Sequence, residues 1–506
     1  MKLLRLLIVG LAAGPAAGAA DATETDVRHE STVVLSAAKG APFPHFWDRM
    51  FGSGRALLSL RESYRYDVAT VRAATGFEYL RFHDILDDDV GVVVADAKGA
   101  ISYNFSLVDE IYDGLLDRGV RPFVELSFMP RALAANTDPH VFWYKPLPSP
   151  PKDFGKWAAL VGALTQHLVD RYGLAEVNQW YFEVWNEPNL DFWTGNPKQK
   201  TYFELYDAAA RAIKAVAPTL RVGGPATAQA AWIPDFIRHC SEGRVPVDFV
   251  STHVYGNDPK EVIGSAQPVP MADMVAIAVR KVFREVGASA MPRLPIIWSE
   301  FNASWFNDPS ITDSAFIGPW LANTIRQADG FVSMMSYWDF SDVFDEAGVT
   351  RKPFYGGFGL IAEGHIPKAA FNDFVLLRRL GTERLPAAAP WILATRRPDG
   401  SLALAIWNYA DPDAAGPSCE YEVQLSGWTG ASSALVEVVD ANHGSALGAW
   451  NRMGAPAYPT RDQDEQLRKA AQVPAAVRLP VKNQGIRLTL PIRSLALVEI
   501  SAKPGP

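Results

Sequence analysis

Hydrophobic and polar positions alternate along most of the chain with two different periods. Short runs of β-branched and aromatic residues, typical of strands, are separated by longer segments in which apolar residues recur at every third or fourth position. In SLVDEIYDGLLDRG, for example, Val108, Ile111, Tyr112 and Leu115 fall on one face of a helix. This strand–helix unit repeats eight times between about residue 45 and the segment FNDFVLLRRLG, and eight such units predict a (β/α)8 TIM barrel, an α/β fold. The predicted strands are His45–Gly52, Glu78–His83, Arg121–Phe128, Trp180–Glu187, Arg221–Pro225, Val247–Tyr255, Pro295–Glu300 and Val332–Trp338.

The pattern changes after about Pro386. Runs such as LALAIWNY, YEVQL, ALVEVVD and IRLTL alternate with a period of two and are separated by turns rich in Gly, Pro and Ala. This pattern predicts a C-terminal antiparallel β-sandwich. We therefore expect a barrel domain over residues 44–385 and a sandwich over 386–506. The N-terminal segment, residues 21–43, contains STVVLSA, which is a candidate additional strand of the sandwich.

The first residues, MKLLRLLIVGLAAGPAAGAADA, have the order of a secretory signal: basic residues, an apolar run, and then small residues. We expect residues 1–20 to be removed on export, so that the mature protein begins near Asp21. No other apolar run is long enough to span a bilayer. The sequence therefore predicts a secreted or periplasmic protein that is not attached to a membrane after signal removal.

Composition narrows the class of ligand. The formal net charge of −8 and the lack of a basic stripe disfavour nucleic acid as a partner. The 15 Trp, 16 Tyr and 26 Phe residues suit a ligand with flat apolar faces and polar edges, such as a sugar. Cys240 and Cys419 are expected to be two free, buried thiols in different domains. Assembly into a homo-oligomer is left open.

In a parallel barrel the functional side chains lie at the carboxyl ends of the strands. The fourth and seventh predicted strands both end on a glutamate two residues after a tryptophan, at Glu187 and Glu300. Strict alternation would place Trp185 and Trp298 on the same face as these glutamates. The ends of the other strands add further candidate site residues to the mouth: Arg81, His83, His253, Tyr255 and Trp338.

Six motifs, taken in order, make the prediction more specific: GSGRALLSLR, LRFHDI, WNEPNLDFW, STHVYG, WSEFNAS and SYWDFSDVFDE. Between about residues 46 and 371 the chain resembles glycoside hydrolase family 39, the β-xylosidase and α-L-iduronidase family. WNEPN alone resembles only the wider clan of retaining TIM-barrel glycosidases. The resemblance implies that Glu187 is the acid/base and Glu300 the nucleophile.

The resemblance also implies roles for the neighbouring side chains. Asn186 would bond the 2-hydroxyl of the sugar, and Arg81 would support the charge of Glu300. His253 and Tyr255 would orient the nucleophile and the sugar, whereas His83 and Trp338 would line the subsite for the non-reducing end.

The residue types fit the chemistry of retaining hydrolysis. One carboxyl group must protonate the leaving oxygen while a second, roughly 5–5.5 Å away, attacks the anomeric carbon. Glu346, which follows the eighth strand, is a candidate sugar-binding residue. Glu125 and Glu183 point into the barrel by alternation and are expected to pair with a basic residue deeper down. The chain has no HExxH motif and no Cys/His spacing typical of a metal site, so neither a metal nor another cofactor is expected.

The sequence favours an exo-acting β-xylosidase that removes xylose from β-1,4-xylo-oligosaccharides with retention. An α-L-iduronidase must hold a substrate carboxylate, and the strand-seven loop FNASWFNDPS has no cation for that purpose. Asp84 and Asp339 depart from the xylosidase pattern, where Gly and Thr are expected, so the sugar is less well defined than the mechanism. Two further functions stay open: an endo-acting glycanase of the same clan, with an open groove, and a non-catalytic carbohydrate-binding protein.

Overall fold

A closed barrel of eight parallel strands forms the larger part of the computed structural model, which describes residues 27–140, 142–501 and 503–504. The predicted signal peptide, residues 1–20, lies outside the described residues. Each strand overlaps a run that the sequence predicts, so the TIM barrel is confirmed. The strands, in chain order, are β1 (Met50–Arg55), β2 (Tyr79–His83), β3 (Arg121–Leu126), β4 (Tyr181–Val184), β5 (Arg221–Thr227), β6 (Phe249–Tyr255), β7 (Ile296–Asn302) and β8 (Met334–Tyr337).

A helix follows each strand and packs its apolar stripe against the outside of the barrel. These helices are α1 (Glu62–Thr75), α2 (Ser106–Leu116), α3 (Phe154–Tyr172), α4 (Lys198–Val216), α5 (Ile233–Gly243), α6 (Met271–Gly287), α7 (Ile317–Ala328) and α8 (Ala369–Leu377). The ends of these helices have local causes. Asp153 caps α3 by accepting from the N–H groups of Gly155 and Lys156, and Gly76 ends α1 with φ of +68°.

A separate cluster of side chains fills the inside of the barrel. It consists of Met50, Tyr79, Phe123, Phe249, Ile297 and Met334, which come from six of the eight strands. Five of these six residues lie at the first or second position of their strands, and Phe123 lies at the third. The amino-terminal end of the barrel is therefore packed solid, and a ligand can enter only at the carboxyl ends of the strands.

Two stacked sheets form the C-terminal domain, which confirms the predicted sandwich. The larger sheet has seven strands in the order Val477–Pro480, Ser433–Val439, Ser494–Ile500, Leu402–Asn408, Ile392–Arg396, Glu383–Arg384 and Ala41–Pro42. In the smaller sheet Cys419–Ser426 pairs with Gly485–Leu490 in the antiparallel sense. The apolar residues of the two inner faces pack into one core.

The N-terminal segment joins the smaller sheet. Val33–Ser36, within STVVLSA, pairs with Cys419–Ser426, and Arg28–His29 pairs with the same strand. Both pairings are parallel, which the expected antiparallel sandwich did not include. Cys240 and Cys419 are buried and unpaired, as predicted.

Two helices in the C-terminal domain were not predicted. Leu447–Arg452 and Arg461–Ala470 pack Trp450 and Leu467 against Phe354, which belongs to the long segment after β8. Arg461–Ala470 is made almost entirely of polar residues and buries Leu467 alone, so it leaves no apolar stripe to recognise in the sequence. Among the described residues, no helix is both long enough and apolar enough to cross a membrane.

Candidate active site

Glu187 and Glu300 face each other at the carboxyl end of the barrel. Glu187 follows β4 and is 9% exposed, whereas Glu300 lies near the end of β7 and is 4% exposed. A carboxylate oxygen of each residue and a ring nitrogen of His253 all lie within 4.8 Å of one another. Both glutamates line a cavity of about 420 Å³. The structure therefore brings the two predicted acids together on opposite sides of one pocket.

Two donors hold the carboxylate of Glu300. Arg81 Nη1 donates to Oε1 at 2.7 Å, and the hydroxyl of Tyr255 donates to Oε2 at 2.8 Å. These bonds fix the plane of the carboxylate, and the guanidinium supplies a compensating positive charge. A carboxylate held in one orientation beside a cation is well prepared to act as a nucleophile.

Arg81 is fully buried and binds several carbonyl and carboxylate oxygens at once. In addition to Glu300, it contacts Glu183 at 2.6 Å, Glu125 at 2.8 Å and Oδ1 of Asn186 at 2.9 Å. The inward-facing carboxylates of Glu125 and Glu183 thus pair with Arg81, as the alternation in their strands predicts, and they raise the pKa of its guanidinium. Because Oδ1 of Asn186 is engaged, its amide N–H groups are the ones that it presents to the pocket.

Glu187 has a different environment from Glu300. Burial raises the pKa of its carboxyl group from 4.5 to about 7. Its hydrogen-bond partner is Nδ1 of His253, 2.9 Å from Oε1, and the same burial lowers the pKa of that imidazole to about 4. His253 is therefore neutral at pH 7, whereas Glu187 is protonated in about half of the molecules at that pH. A carboxyl group of this kind can deliver a proton near neutral pH.

The far wall of the pocket consists of His83, Trp338 and Glu346. The rings of His83 and Trp338 lie 5.0 Å apart, and Nδ1 of His83 lies 2.8 Å from Oε2 of Glu125. Oε1 of Glu346 lies 3.6 Å from Nε2 of His83. Burial and the nearby charge of Glu300 raise the pKa of Glu346 well above its ordinary value. All three residues that the sequence predicts for sugar binding on this side line the cavity.

Two predicted neighbours of the glutamates are not in the pocket. Trp185 and Trp298 were expected to share a face with Glu187 and Glu300, but both are fully buried in the core between barrel and helices. Trp185 packs on Trp193 and Phe128, with ring centres 5.0 and 5.2 Å away.

Local backbone geometry explains this correction. Trp185 and Glu187 have φ of +73° and +44°, so the alternation of β4 is broken at the point where the chain turns Asn186 and Glu187 into the pocket. In β7 the register shifts: Thr252 pairs with Trp298, and His253 pairs with Glu300. Ser299 is the extra residue of this bulge, and its hydroxyl lies 3.1 Å from Nε2 of His253.

Several residues of the cavity wall were not predicted from the sequence. They are Phe142, Leu190, Phe192, Ala228, Gln229, Asp258, Trp305 and Phe358. Most of them lie in loops several residues beyond a strand end, where neither alternation nor the family motifs indicate direction. Trp305 is the one residue of this group that could have been predicted, because it is an aromatic residue in the loop directly after β7.

The other buried acids in the loops after the strands have separate roles. Asp342 and Asp313 pair with the buried amine of Lys368 at 2.6 and 2.7 Å, so these groups stabilise the loop after β8. Asp345 accepts from Arg55. Asp84 and Asp339, the departures from the family pattern, are buried, and burial raises the pKa of each carboxyl group well above its usual value.

Glu187, His253 and Glu300 are also the one group of described residues whose ligand atoms are close enough to hold a metal ion. Both oxygens of Glu300 already accept bonds from Arg81 and Tyr255. Both ring nitrogens of His253 are engaged as well, by Glu187 and Ser299. The atoms that a metal would need are thus already hydrogen-bonded, and the set fits proton and glycosyl transfer between carboxyl groups better than metal binding.

Glycosidic bonds are cleaved by two carboxyl groups of unequal acidity placed on either side of the bond. Burial raises the pKa of the Glu187 carboxyl group to about 7, whereas Arg81 and Tyr255 hold the carboxylate of Glu300, and both groups lie at the mouth of a barrel that can accept a ligand from one end only. The fold and the site therefore define the protein as a glycoside hydrolase.

Comparison with known proteins makes the class more specific. The model of glycosyl hydrolases family 39 matches residues 32–488, and the chain belongs to this family. A β-xylosidase of Geobacillus stearothermophilus is 38% identical over 442 residues, which cover 85% of this chain and 86% of that protein. The human α-L-iduronidase is 26% identical over 491 residues, covering 85% of this chain and 71% of that protein.

A solved structure gives the same result. The monomeric β-xylosidase from Caulobacter crescentus CB15 superimposes with a TM-score of 0.83 at 34% identity, covering 94% of this chain and all of that one. The predicted family membership is thus confirmed.

Proposed function

We propose that this glycoside hydrolase is a β-xylosidase that releases xylose from the non-reducing end of β-1,4-xylo-oligosaccharides with net retention of configuration. The observation that carries the proposal is the shape and charge of the cavity. Trp338 and Phe358, 3% and 7% exposed, line the cavity and belong to one small buried aromatic cluster. We infer that this cluster ends the sugar subsite, so that the cavity accepts a chain terminus rather than the middle of a polymer, which favours exo over endo action.

The charge of the wall favours an uncharged sugar. Among the described residues that line the cavity, four are acids and none is Lys or Arg: Glu187, Asp258, Glu300 and Glu346. Arg81 lies beneath the site, but its guanidinium is shared among protein acceptors. A uronate carboxylate would therefore find no lining cation to bind it, whereas xylose carries no such group. This observation disfavours the α-L-iduronidase alternative.

The spacing of the acids supports the two-step mechanism. Oxygens of Glu187 and Glu300 approach within 4.8 Å, whereas an inverting pair needs roughly 6.5–9.5 Å to admit a water molecule between base and sugar. Glu300 attacks the anomeric carbon while Glu187 protonates the departing oxygen, which leaves a glycosyl-enzyme. Glu187, now ionised, takes a proton from water as that water attacks the same carbon and releases the sugar.

Contacts in the first sugar subsite follow from the donors and acceptors that are available. The amide of Asn186 donates to the 2-hydroxyl beside Glu300, where a bond strengthens as charge develops on the ring. His83 and Glu346 bind the hydroxyls further from the scissile bond, and the face of Trp338 packs on the carbons of the ring. A catalytically silent binding protein would have no use for a buried acid with a pKa near 7.

An assay of the purified protein with a panel of nitrophenyl glycosides tests the proposal directly. We expect β-D-xyloside to be the preferred substrate, and α-L-iduronide to be inert. NMR of the first-formed product should show the β anomer, and short oligomers should be shortened by single units while xylan polymer is cut slowly. Preference for another glycone would refute the identity of the sugar. A first product of inverted configuration would refute the retaining mechanism, and internal cleavage of xylan would refute exo action.

We also propose that the protein works outside the cytoplasm, as the signal-like N-terminus indicates. N-terminal sequencing of protein from its native host should find a start near Asp21, and an intact Met1 would refute the export.

A further inference from the structure

The catalytic cavity has a second wall that the proposed chemistry leaves unused. Asp258, Gln229 and Trp305 line the cavity but contact neither carboxylate of the catalytic pair through a hydrogen bond. Trp305 is 57% exposed, which is unusual for a tryptophan held in an ordered loop. An exposed aromatic face beside a buried carboxyl group, that of Asp258, and the half-buried amide of Gln229 is the composition of a sugar-binding surface.

The position of this wall relative to the acid/base indicates which part of the substrate it meets. The segment that carries Gln229 follows a strand end that is bonded directly to the acid: the N–H of Glu187 donates to the carbonyl of Ala226, near the end of β5, at 2.8 Å. Asn189 makes two further bonds with Ala228, at 2.9 and 3.0 Å. Because Glu187 protonates the leaving oxygen, the residues on its side of the pocket face the leaving group. Glu346 lies instead beside His83 and the nucleophile: Nε2 of His83 is 3.6 Å from Oε1 of Glu346 and 4.0 Å from Oε1 of Glu300.

The backbone that presents Gln229 is held in an uncommon conformation. Four non-glycine residues between 226 and 232 have positive φ: Ala226 (+53°), Gln229 (+62°), Ala230 (+52°) and Trp232 (+62°). Such residues cost free energy and persist where the surrounding structure holds them, often at binding sites. The result here is that the amide of Gln229 enters the cavity beside Asp258, with Nε2 3.5 Å from Oδ1, a long and weak bond. Both side chains therefore retain capacity to bind a ligand.

Trp305 is fixed from the neighbouring loop. The backbone N–H of Trp305 donates to Oδ1 of Asn257, and Nδ2 of Asn257 donates to the hydroxyl of Ser304. The ring of Phe306 packs edge-on against it with centres 5.3 Å apart. Because Asn257 is adjacent in the chain to Asp258, these bonds join the loop of Trp305 to the loop of Asp258.

We propose that Trp305, Gln229 and Asp258 form the subsite for the leaving sugar and make the enzyme select a pyranose as its aglycone. The indole packs on the apolar face of the second sugar, and the amide and carboxylate bind its hydroxyls. This inference rests on the proposed function, because it assumes that Glu187 is the acid and that a xylose occupies the first subsite.

A comparison of two substrates that differ only in the leaving group tests the proposal. Xylobiose has a sugar at the position in question, whereas β-xylosyl fluoride has a single atom there. In Trp305→Ala and in Gln229→Gly, which keeps a residue tolerant of positive φ, we expect the ratio of kcat/KM for xylobiose to kcat/KM for the fluoride to fall at least about 10-fold, the equivalent of one well-made contact. Trp305→Phe, which keeps a flat face, should restore most of the ratio for that position.

The chain offers a matched control. Trp143 is 54% exposed and does not line the cavity, and its backbone N–H, which an alanine would keep, donates to the carbonyl of Glu346. Trp143→Ala should leave the ratio within about twofold. The inference would be overturned by any of three outcomes. The ratio could stay unchanged in Trp305→Ala and Gln229→Gly because kcat/KM does not change or falls equally for both substrates, or the ratio could fall as much in Trp143→Ala. If the wild type hydrolyses neither substrate, the proposed function itself is wrong, and the inference falls with it.

Discussion

Replacing Glu187 by alanine should affect substrates very unequally. The variant loses the proton donor, but it keeps Glu300 with its bonds to Arg81 and Tyr255. An aglycone that departs without protonation, such as dinitrophenolate, should still be expelled to form the glycosyl-enzyme. A sugar aglycone should not, because an alkoxide is a poor leaving group.

The acidity of Glu187 gives the size and the pH dependence of the effect. With a pKa of about 7, the wild-type carboxyl is about 90% protonated at pH 6 and about 10% at pH 8. At pH 6 the variant should therefore lose the whole contribution of the acid on xylobiose, about 10²–10⁴-fold. The alkaline limb of wild-type kcat/KM near pH 7 should be absent from the variant's first step on dinitrophenyl xyloside.

Pre-steady-state kinetics on both substrates provide the measurement. A burst of dinitrophenolate followed by slow turnover is expected for Glu187→Ala, and azide, a small anion that can enter the space left by the carboxyl group, should accelerate turnover and yield β-xylosyl azide. Glu300→Ala is the contrasting variant: every substrate should be slow, and azide should give the opposite anomer. Equal losses on good and poor leaving groups in Glu187→Ala would show that Glu187 is not the acid.

Three further predictions concern the surroundings of the catalytic pair. Tyr255→Phe removes a donor 2.8 Å from Glu300; since a bond to a charged group contributes about 1.5–3 kcal/mol, kcat should fall about 10–100-fold in steady-state assays, and an unchanged kcat would contradict the role. Glu187→Gln should stabilise the fold in alkaline solution. The pKa of the Glu187 carboxyl group is raised from 4.5 to about 7 in the folded protein, so the wild type loses stability as the pH rises from 4.5 to 7, by up to about 3 kcal/mol above pH 7. The difference in free energy of unfolding between the two proteins, measured in urea, should therefore grow between pH 4.5 and 7 and vanish below pH 4.5. Activity should be unchanged after dialysis against excess chelator, because the atoms of Glu187, His253 and Glu300 that a metal would need are already hydrogen-bonded, and a loss that a divalent ion restores would contradict this expectation.

The sequence predicts the barrel and the acids because both depend on regular periods. Eight strand–helix alternations leave few other folds, and the ends of two of those strands identify Glu187 and Glu300. The predicted positions of Trp185 and Trp298 are wrong for a common reason: side chains alternate between the two faces only while the strand is regular. The positive φ of Trp185 and the bulge at Ser299 each break it within two residues of the chemistry, so alternation identifies the glutamates correctly and the tryptophans wrongly.

The leaving-group side of the pocket was not predictable for a different reason. Gln229 and Asp258 lie in loops where no period applies, and they meet only because β5 and β6 are neighbours in the barrel. Their place in the wall depends on contacts such as the bond between Gln229 and Asp258. Information of this kind lies in the packing of loops against one another, and a single chain read in order does not contain it as a pattern.

The pairing of Val33–Ser36 with Cys419–Ser426 has a consequence for the order in which the protein can assemble. The ribosome makes the N-terminal strand first and its partner only after the whole barrel has been synthesised. Until then the alternating side chains of Val33 and Leu35, which end up in the sandwich core, have no sheet to join. Folding of the second domain must wait for the end of the chain, whereas the barrel can form earlier. A nascent chain stopped before Cys419 would expose an unpaired strand edge, the kind of surface through which proteins aggregate.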